Sequence, residues 1–216
     1  MDYLIVIKTL SLIKILMKFR KEQKYKLTYS DQKILKKIFF KRGMKLLYPQ
    51  RSINSIYFDT NNLDFFSNSE EGVLPRKKIR VRWYDDNLKE IFKEIKISSI
   101  EGRFKINELF ENKEKLFDSN FQIIDNEFGI LKPKTMITYD REYFVLDNLR
   151  LTFDYNISYK DLISLTKFNV KDKECVLEIK ANFGIYDDYI EKIIGLPTSR
   201  FSKYCRSIIH TQHRIH

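Results

Sequence analysis

Residues 76–84 read RKKIRVRWY, and in an extended chain side chains alternate between two faces. Arg76, Lys78, Arg80, Arg82 and Tyr84 then share one face, while Ile79, Val81 and Trp83 lie on the other with Lys77. Same-face cations stand roughly 7 Å apart along such a strand. A row of this kind suits a polyanion, and arginine's planar fork suits phosphate oxygens better than lysine does. The same rule applied along the chain groups Arg20, Glu22 and Lys24, then Glu90, Glu94 and Lys96. It also groups Tyr139 with Arg141, Thr152 with Asp154, and Glu178 with Lys180. Cations can neutralise equatorial phosphate oxygens and carboxylates can hold a divalent metal against them, which are the parts phosphoryl transfer requires. An ordinary half-solvated sheet would read alike strand by strand. The recurrence of the pattern, rich in arginine and backed by strongly apolar opposite faces, favours one polar cavity.

The elements that must position these residues follow from periodicity and turn chemistry. Strands are expected at 19–27, 52–60, 76–84, 89–99, 103–107, 135–146, 149–158 and 174–181. Ser30 is expected to cap a helix over 31–42 that ends at Gly43. A short helical piece is expected at 63–68, helical stretches near 107–117 and 120–130, and closing helices at 186–194 and 200–211. The fold class is therefore α+β: eight antiparallel strands closing into a barrel, with surrounding and C-terminal helices.

The chain has 216 residues, 43% of them hydrophobic and 14% aromatic, enough for one packed domain. Its 40 Lys and Arg against 29 Asp and Glu give a net charge of +11, which favours an anionic partner. Cys175 and Cys205 form neither a metal pattern nor a disulfide framework, so a reducing, cytoplasmic setting is expected. In the opening segment MDYLIVIKTLSLIKILMKF, the charges Asp2, Lys8, Lys14 and Lys18 interrupt an apolar run. It reads as an interfacial helix or, preferentially, as an extension over residues 1–16 ahead of a start at Met17, with the domain spanning 17–216. No P-loop pattern GxxxxGK is present, which disfavours that class of nucleotide enzyme. The basic faces would suit nucleic acid, but no recognised module for it appears. His210, His213 and His216 are read as exposed at a frayed end.

The ordered run FRKEQKYKL, RSINSIYFDT, KIRVRWY, FKEIK, YDREYF, RLTFDYNI, VLEIK and FSKYCRSI, from about residue 18 to 208, resembles the VTC domain. That domain is the polyphosphate polymerase branch of the triphosphate tunnel metalloenzymes. The resemblance implies an eight-stranded antiparallel tunnel and transfer of the γ-phosphate of ATP to a growing polyphosphate chain with Mn²⁺ or Mg²⁺. It implies that Arg20 and Lys24 bind phosphate near one end, that Arg80 and Arg82 grip the triphosphate, and that Lys96 adds a contact. Tyr139 and Arg141 contribute from YDRE, Lys203 from the closing helix, and Glu178 holds the metal; Arg103 and Lys105 match more loosely. Glu22, Glu94 and Asp154 either assist the metal or pair with cations. ATP and polyphosphate are the partners expected, with no specific nucleic acid and room for a membrane partner encoded elsewhere. A triphosphatase of the same fold, or a tunnel that binds polyphosphate without turnover, would use the same residues.

Overall fold

The computed structural model describes residues 20–118, 120–164, 169–182 and 187–212. The expected extension over residues 1–16, His213 and His216 lie outside them. One antiparallel sheet forms the body. Its ladder runs β1 (Arg20–Leu27), β10 (Cys175–Asn182), β8 (Leu149–Asp161), β7 (Gly129–Leu146), β2 (Lys45–Asp59), β3 (Arg76–Tyr84), β4 (Phe92–Ser98) and β5 (Arg103–Leu109). Two short strands lie off this path: β6 (Ile123–Asp125) on β7 and β9 (Asn169–Lys171) on β8.

The eight strands of the main path are those expected, but several are longer. β2 begins at Lys45 because Pro49 does not end it; the register shifts between Tyr48 and Arg51 and so accommodates a residue without an amide proton. Pro133 likewise sits inside β7, beside the irregularity between Tyr57 and Phe58 of β2. β4 starts only at Phe92, so Glu90 lies in the preceding turn, exposed, and does not share the strand face of Glu94 and Lys96.

The ladder stays open in its backbone, since β1 and β5 are its two ends. Curling brings those ends together through side chains. Glu22 of β1 places Oε2 3.7 Å from Lys96 Nζ of β4 and 3.7 Å from Arg103 Nη1 of β5. Ion pairs close the seam where hydrogen bonds do not.

Four α-helices among the described residues pack on the sheet. α1 (Tyr29–Lys41) is capped by Thr28 rather than Ser30: Thr28 and Asp31 exchange hydrogen bonds in a capping box, and no partner three residues on makes Ser30 the better start. With α3 (Asp187–Ile194), it covers the convex face of β1, β10 and β8, where Leu35, Phe39, Ile190 and Ile194 join Tyr25, Phe153 and Leu177. The helices expected at 107–117 and 120–130 are not formed. Residues 103–109 are strand, 113–115 a single 3₁₀ turn, and 123–125 strand. Phe110, Leu116 and Ile123 are buried singly over the convex face of β2 and β3, with Phe121 packed beside them; that spacing makes anchors rather than a helical stripe.

α2 (Asp64–Glu71) and α4 (Lys203–Gln212) meet at Asp59, at the end of β2. This carboxylate, fully buried, accepts four hydrogen bonds: from the backbone N–H of Thr60, Phe65 and Phe66, and from the Tyr204 hydroxyl at 2.5 Å. It therefore satisfies the first turn of α2 and tethers α4 at once. Cys175 and Cys205 are free and buried, and His210 stacks on Tyr159 instead of fraying into solvent. No helix among the described residues is long and apolar enough to cross a membrane.

Tyr204→Phe removes one donor from a buried carboxylate, so it should cost about 1.5–3 kcal/mol of stability. The urea midpoint measures it; an unchanged midpoint would mean that Asp59 does not hold the helix.

Candidate functional site

The polar residues gather on the concave side of the sheet, in two facing groups. On β2, β3 and β4 the register sets Tyr57 opposite Arg80 and Arg80 opposite Glu94, with Ser55 opposite Arg82. Glu94, 4% exposed, is the hub. Arg80 approaches its Oε2 at 2.5 Å, Arg82 reaches the same oxygen at 3.7 Å, and Lys105 of β5 bonds Oε1 at 2.8 Å. Burial raises the pKa of this carboxyl, but Arg80 and Arg82 outweigh it and bring it down to about 2. Arg80 also donates to the Tyr57 hydroxyl at 2.7 Å, and Arg82 to Ser55 Oγ at 3.2 Å and the Tyr139 hydroxyl at 3.1 Å.

Across the cavity, β1, β10, β8 and β7 carry the second group. Arg141 grips Asp154 with two hydrogen bonds, at 2.5 and 2.7 Å. Lys203, at the start of α4, donates to the same carboxylate and lies 4.4 Å from the centre of the Tyr139 ring. Glu178 pairs with Lys180 at 2.9 Å and lies 3.9 Å from Lys24 and 4.0 Å from Arg141. Burial opposes its ionisation, yet Lys24, Arg141 and Lys180 hold its pKa well below the usual carboxylate range. Lys24 stands between two carboxylates, 3.4 Å from Glu22 Oε1, and also donates to the Phe201 carbonyl at 3.2 Å.

α4 spans the concave face. Tyr204 stacks on Tyr57 with ring centres 5.1 Å apart, Ser202 accepts a hydrogen bond from Lys78, and Lys203 reaches Asp154. The helix closes one side of the cavity and inserts its leading lysine.

Oxygen donors fit for a divalent cation converge near β1 and β10. Burial and Glu178 both raise the pKa of Glu22, which only the lysines Lys96, Lys24 and Lys180 bring down. Thr152, directly opposite Glu178 in the β8–β10 ladder, is buried, and its hydroxyl oxygen has no hydrogen-bond partner. Two carboxylates and an orphaned hydroxyl are hard oxygen donors of the kind Mg²⁺ or Mn²⁺ accepts, provided phosphate oxygens and water complete the shell. Among the described residues no cluster of three or more His, Cys, Asp or Glu side chains forms a self-sufficient metal site. The donor set therefore fits a metal shared with a phosphorylated ligand.

The family profile that matches the chain is that of the VTC domain, over residues 19–211. This chain belongs to the VTC domain family. No curated protein matches it in sequence. Among solved structures, a putative adenylyl cyclase from Hippeastrum, HpAC1, described as having a dominant triphosphatase activity, superposes with a TM-score of 0.55. It is 15% identical, over 88% of this chain and 95% of that one. A conserved hypothetical protein from Pyrococcus furiosus gives 0.53 at 14% identity, covering 87% and 99%. A putative adenylate cyclase from Vibrio parahaemolyticus gives 0.51 at 11%, covering 88% and 98%. At such identities the likeness concerns the fold.

The VTC fold brings together Lys24, Arg80, Arg82, Lys96, Lys105, Tyr139, Arg141, Glu178 and Lys203 on one concave surface. Arg20 starts β1 opposite Asn182, but its side chain lies outside the described residues. Tyr139, 4% exposed, is at once a packing residue and a hydrogen-bond partner of Arg82. Sequence reasoning did not single out Ser55 or Tyr57 for the site; Tyr57 is buried in the core and also accepts a hydrogen bond from Arg80. The period-two rule applied to β2 sets Ser55 and Tyr57 on one face and could have found both.

Two groups would make binding of an anion in this cavity of the VTC domain pH-dependent. Burial lowers the Lys96 pKa, as do the like charges of Lys24 and Arg103, and Glu22 and Glu178 only partly offset this, leaving it at about 8. Burial raises that of Tyr57, but Arg80 and Arg82 bring it down to about 8. As pH rises through that value, Lys96 loses a positive charge and Tyr57 gains a negative one. Affinity for inorganic tripolyphosphate should thus fall by roughly an order of magnitude from about pH 7 to about pH 9. Titration calorimetry across this range checks it. Tyr57→Phe and Lys96→Met should each flatten the profile, and a flat profile for the unaltered chain refutes the assignment.

Proposed function

We propose that this VTC domain is a metal-dependent polyphosphate polymerase that transfers the γ-phosphate of ATP to the end of a polyphosphate chain lying in the cavity. The observation that carries the reading is the facing of unlike walls. Arg80, Arg82 and Lys96 stand on one side, and Glu22, Glu178 and the unpartnered Thr152 hydroxyl on the other, with Glu22 meeting Lys96 and Arg103 across the seam, each at 3.7 Å.

In this mechanism Arg80 and Arg82 hold the triphosphate and neutralise charge that develops on the transferred group. Glu94 keeps both guanidiniums aimed by occupying one edge of each. Glu178 and Glu22, with Thr152, would hold Mn²⁺ or Mg²⁺, which would supply Lewis-acid polarisation of the phosphate. Arg141 and Lys203 add positive charge to the wall that carries Glu178, and the Asp154 that orients them takes no part in the transfer. Lys24, Lys105 and Arg20 contribute phosphate contacts beyond the reacting group. No side-chain nucleophile is required, because the attacking oxygen belongs to the chain's terminal phosphate and is already anionic.

A triphosphatase is the second reading, favoured by the activity attributed to the Hippeastrum protein of the same fold. It differs only in admitting water in place of the chain end.

Incubation of the purified chain with ATP and Mn²⁺ separates them. Long chains on a gel support the polymerase, and orthophosphate alone supports the hydrolase; binding of polyphosphate without either product would reduce the domain to a binding module. Arg82→Ala and Glu178→Ala should each lower turnover by about two to three orders of magnitude. Unaltered turnover in both variants would remove the site from this cavity.

A further inference from the structure

α1 buries Gln32, Leu35 and Phe39 against the convex side of the sheet, so the other side of the helix faces away from the cavity. Lys33, Lys37 and Lys41 recur there at every fourth position and form one exposed row. Among the described residues none of the three meets a carboxylate. Lys36, on the inward flank of the same helix, is by contrast answered by Glu142 and lies 5.1 Å from the centre of the Phe153 ring. Asp31, the acid of the first turn, is engaged with Thr28 in the capping box. Like charges four residues apart on a helix repel, so the fold carries this row at a cost.

Apolar side chains flank the lysines on both sides. Ile34 and Ile38 lie along one side and Phe40 along the other; Ile34 and Phe40 are more than half exposed, and Ile38 is 40% exposed. Leu46 of β2, also more than half exposed, continues the patch. It pairs with Phe144 in the β2–β7 ladder, and Phe144 meets the Phe40 ring edge-on at 5.5 Å. Exposed apolar residues scattered singly are ordinary, but four around one helix face mark a contact surface.

The combination selects the occupant. A dissolved polyanion would answer the lysines and leave the isoleucines and Phe40 in water. An apolar partner would bury the ammonium groups unpaired. A second copy meeting this one through the same patch would set the lysine row against itself. An anionic bilayer surface meets both requirements, because its acyl boundary takes apolar side chains while its head groups take ammonium groups carried on long flexible stems. We infer that the outward face of α1 docks on an anionic lipid bilayer, with Ile34, Ile38 and Phe40 entering the head-group boundary and Lys33, Lys37 and Lys41 meeting lipid phosphates. The cavity lies on the other side of the sheet, so this docking leaves it open, and the inference does not depend on what the cavity binds.

The test measures co-sedimentation of the full chain with vesicles of phosphatidylcholine alone and of phosphatidylcholine mixed with phosphatidylglycerol. The unaltered chain should prefer the mixed vesicles, and the preference should fade as salt is added. Lys33→Gln combined with Lys37→Gln should lower partition onto them by about tenfold. Ile34→Ser combined with Ile38→Ser should lower it by about tenfold as well. Arg82→Ala, in the cavity, should leave it unchanged. The four substituted side chains of α1 are exposed, so far-UV spectra and melting points should show that both variants fold. Absence of vesicle binding, or partition of both α1 variants like the unaltered chain, overturns the inference. Binding of duplex DNA or polyglutamate without vesicle binding overturns it in favour of a dissolved polyanion, and a dimer in solution that the isoleucine variant abolishes overturns it in favour of a second copy.

Discussion

Like charges crowd the concave face of this sheet, and the fold depends on how they are kept apart and answered. Arg80, Arg82, Lys96, Lys105, Arg141, Lys180 and Lys203 share that face with Lys24 and Lys78, whereas Glu22, Glu94, Asp154 and Glu178 are the carboxylates that meet them. In a low-dielectric wall an unanswered charge is expensive, and each carboxylate is accordingly shared by several cations. Glu94 serves Arg80, Arg82 and Lys105; Asp154 serves Arg141 and Lys203. The surplus of positive charge that remains is what a polyanion would complete.

The same constraint explains the architecture around the cavity. The charged part of the concave face holds no apolar core: one hydrophobic cluster sits on the convex side under α1 and α3, and the other runs from the segment that carries Phe110, Leu116 and Ile123 to Tyr57, Tyr139, Tyr204 and Ile208, where α4 packs. α4 enters the concave side, and it does so with a mixed surface: Tyr204 stacks on Tyr57 while Lys203 and the preceding Ser202 meet Asp154 and Lys78. Asp59 fixes the helix there, which couples the apolar end of β2 to the placement of the active-face lysine. Binding chemistry and stability therefore meet at one helix.

Much of this was legible in alternation alone. Ile79, Val81 and Trp83 against Arg80 and Arg82 assigned both faces of β3 correctly, because a strand's period of two leaves no other arrangement once one face is apolar. Helices were less secure where their signal was compositional. Residues 107–130 hold enough charged and apolar residues to imitate amphipathic helices, yet their aromatic anchors are spaced to pin a loop. β2 and β7 run further than the alternating segments marked, because a register shift lets a strand carry a proline that cannot donate.

From the sequence alone came most of the strand faces, the eight-stranded antiparallel class, the surplus of positive charge and the residues that share the concave face, since each follows from local periodicity and side-chain chemistry. Only the tertiary structure decided which carboxylate answers which cation. It also decided that Glu22 closes the seam, that Glu90 stays outside, that Thr152 is left without a partner, and that Lys78 meets a neutral serine. Those outcomes depend on strand register, on the curl that brings β1 to β4 and β5, and on where α4 crosses. Each is a long-range contact between segments whose relative position no local pattern encodes.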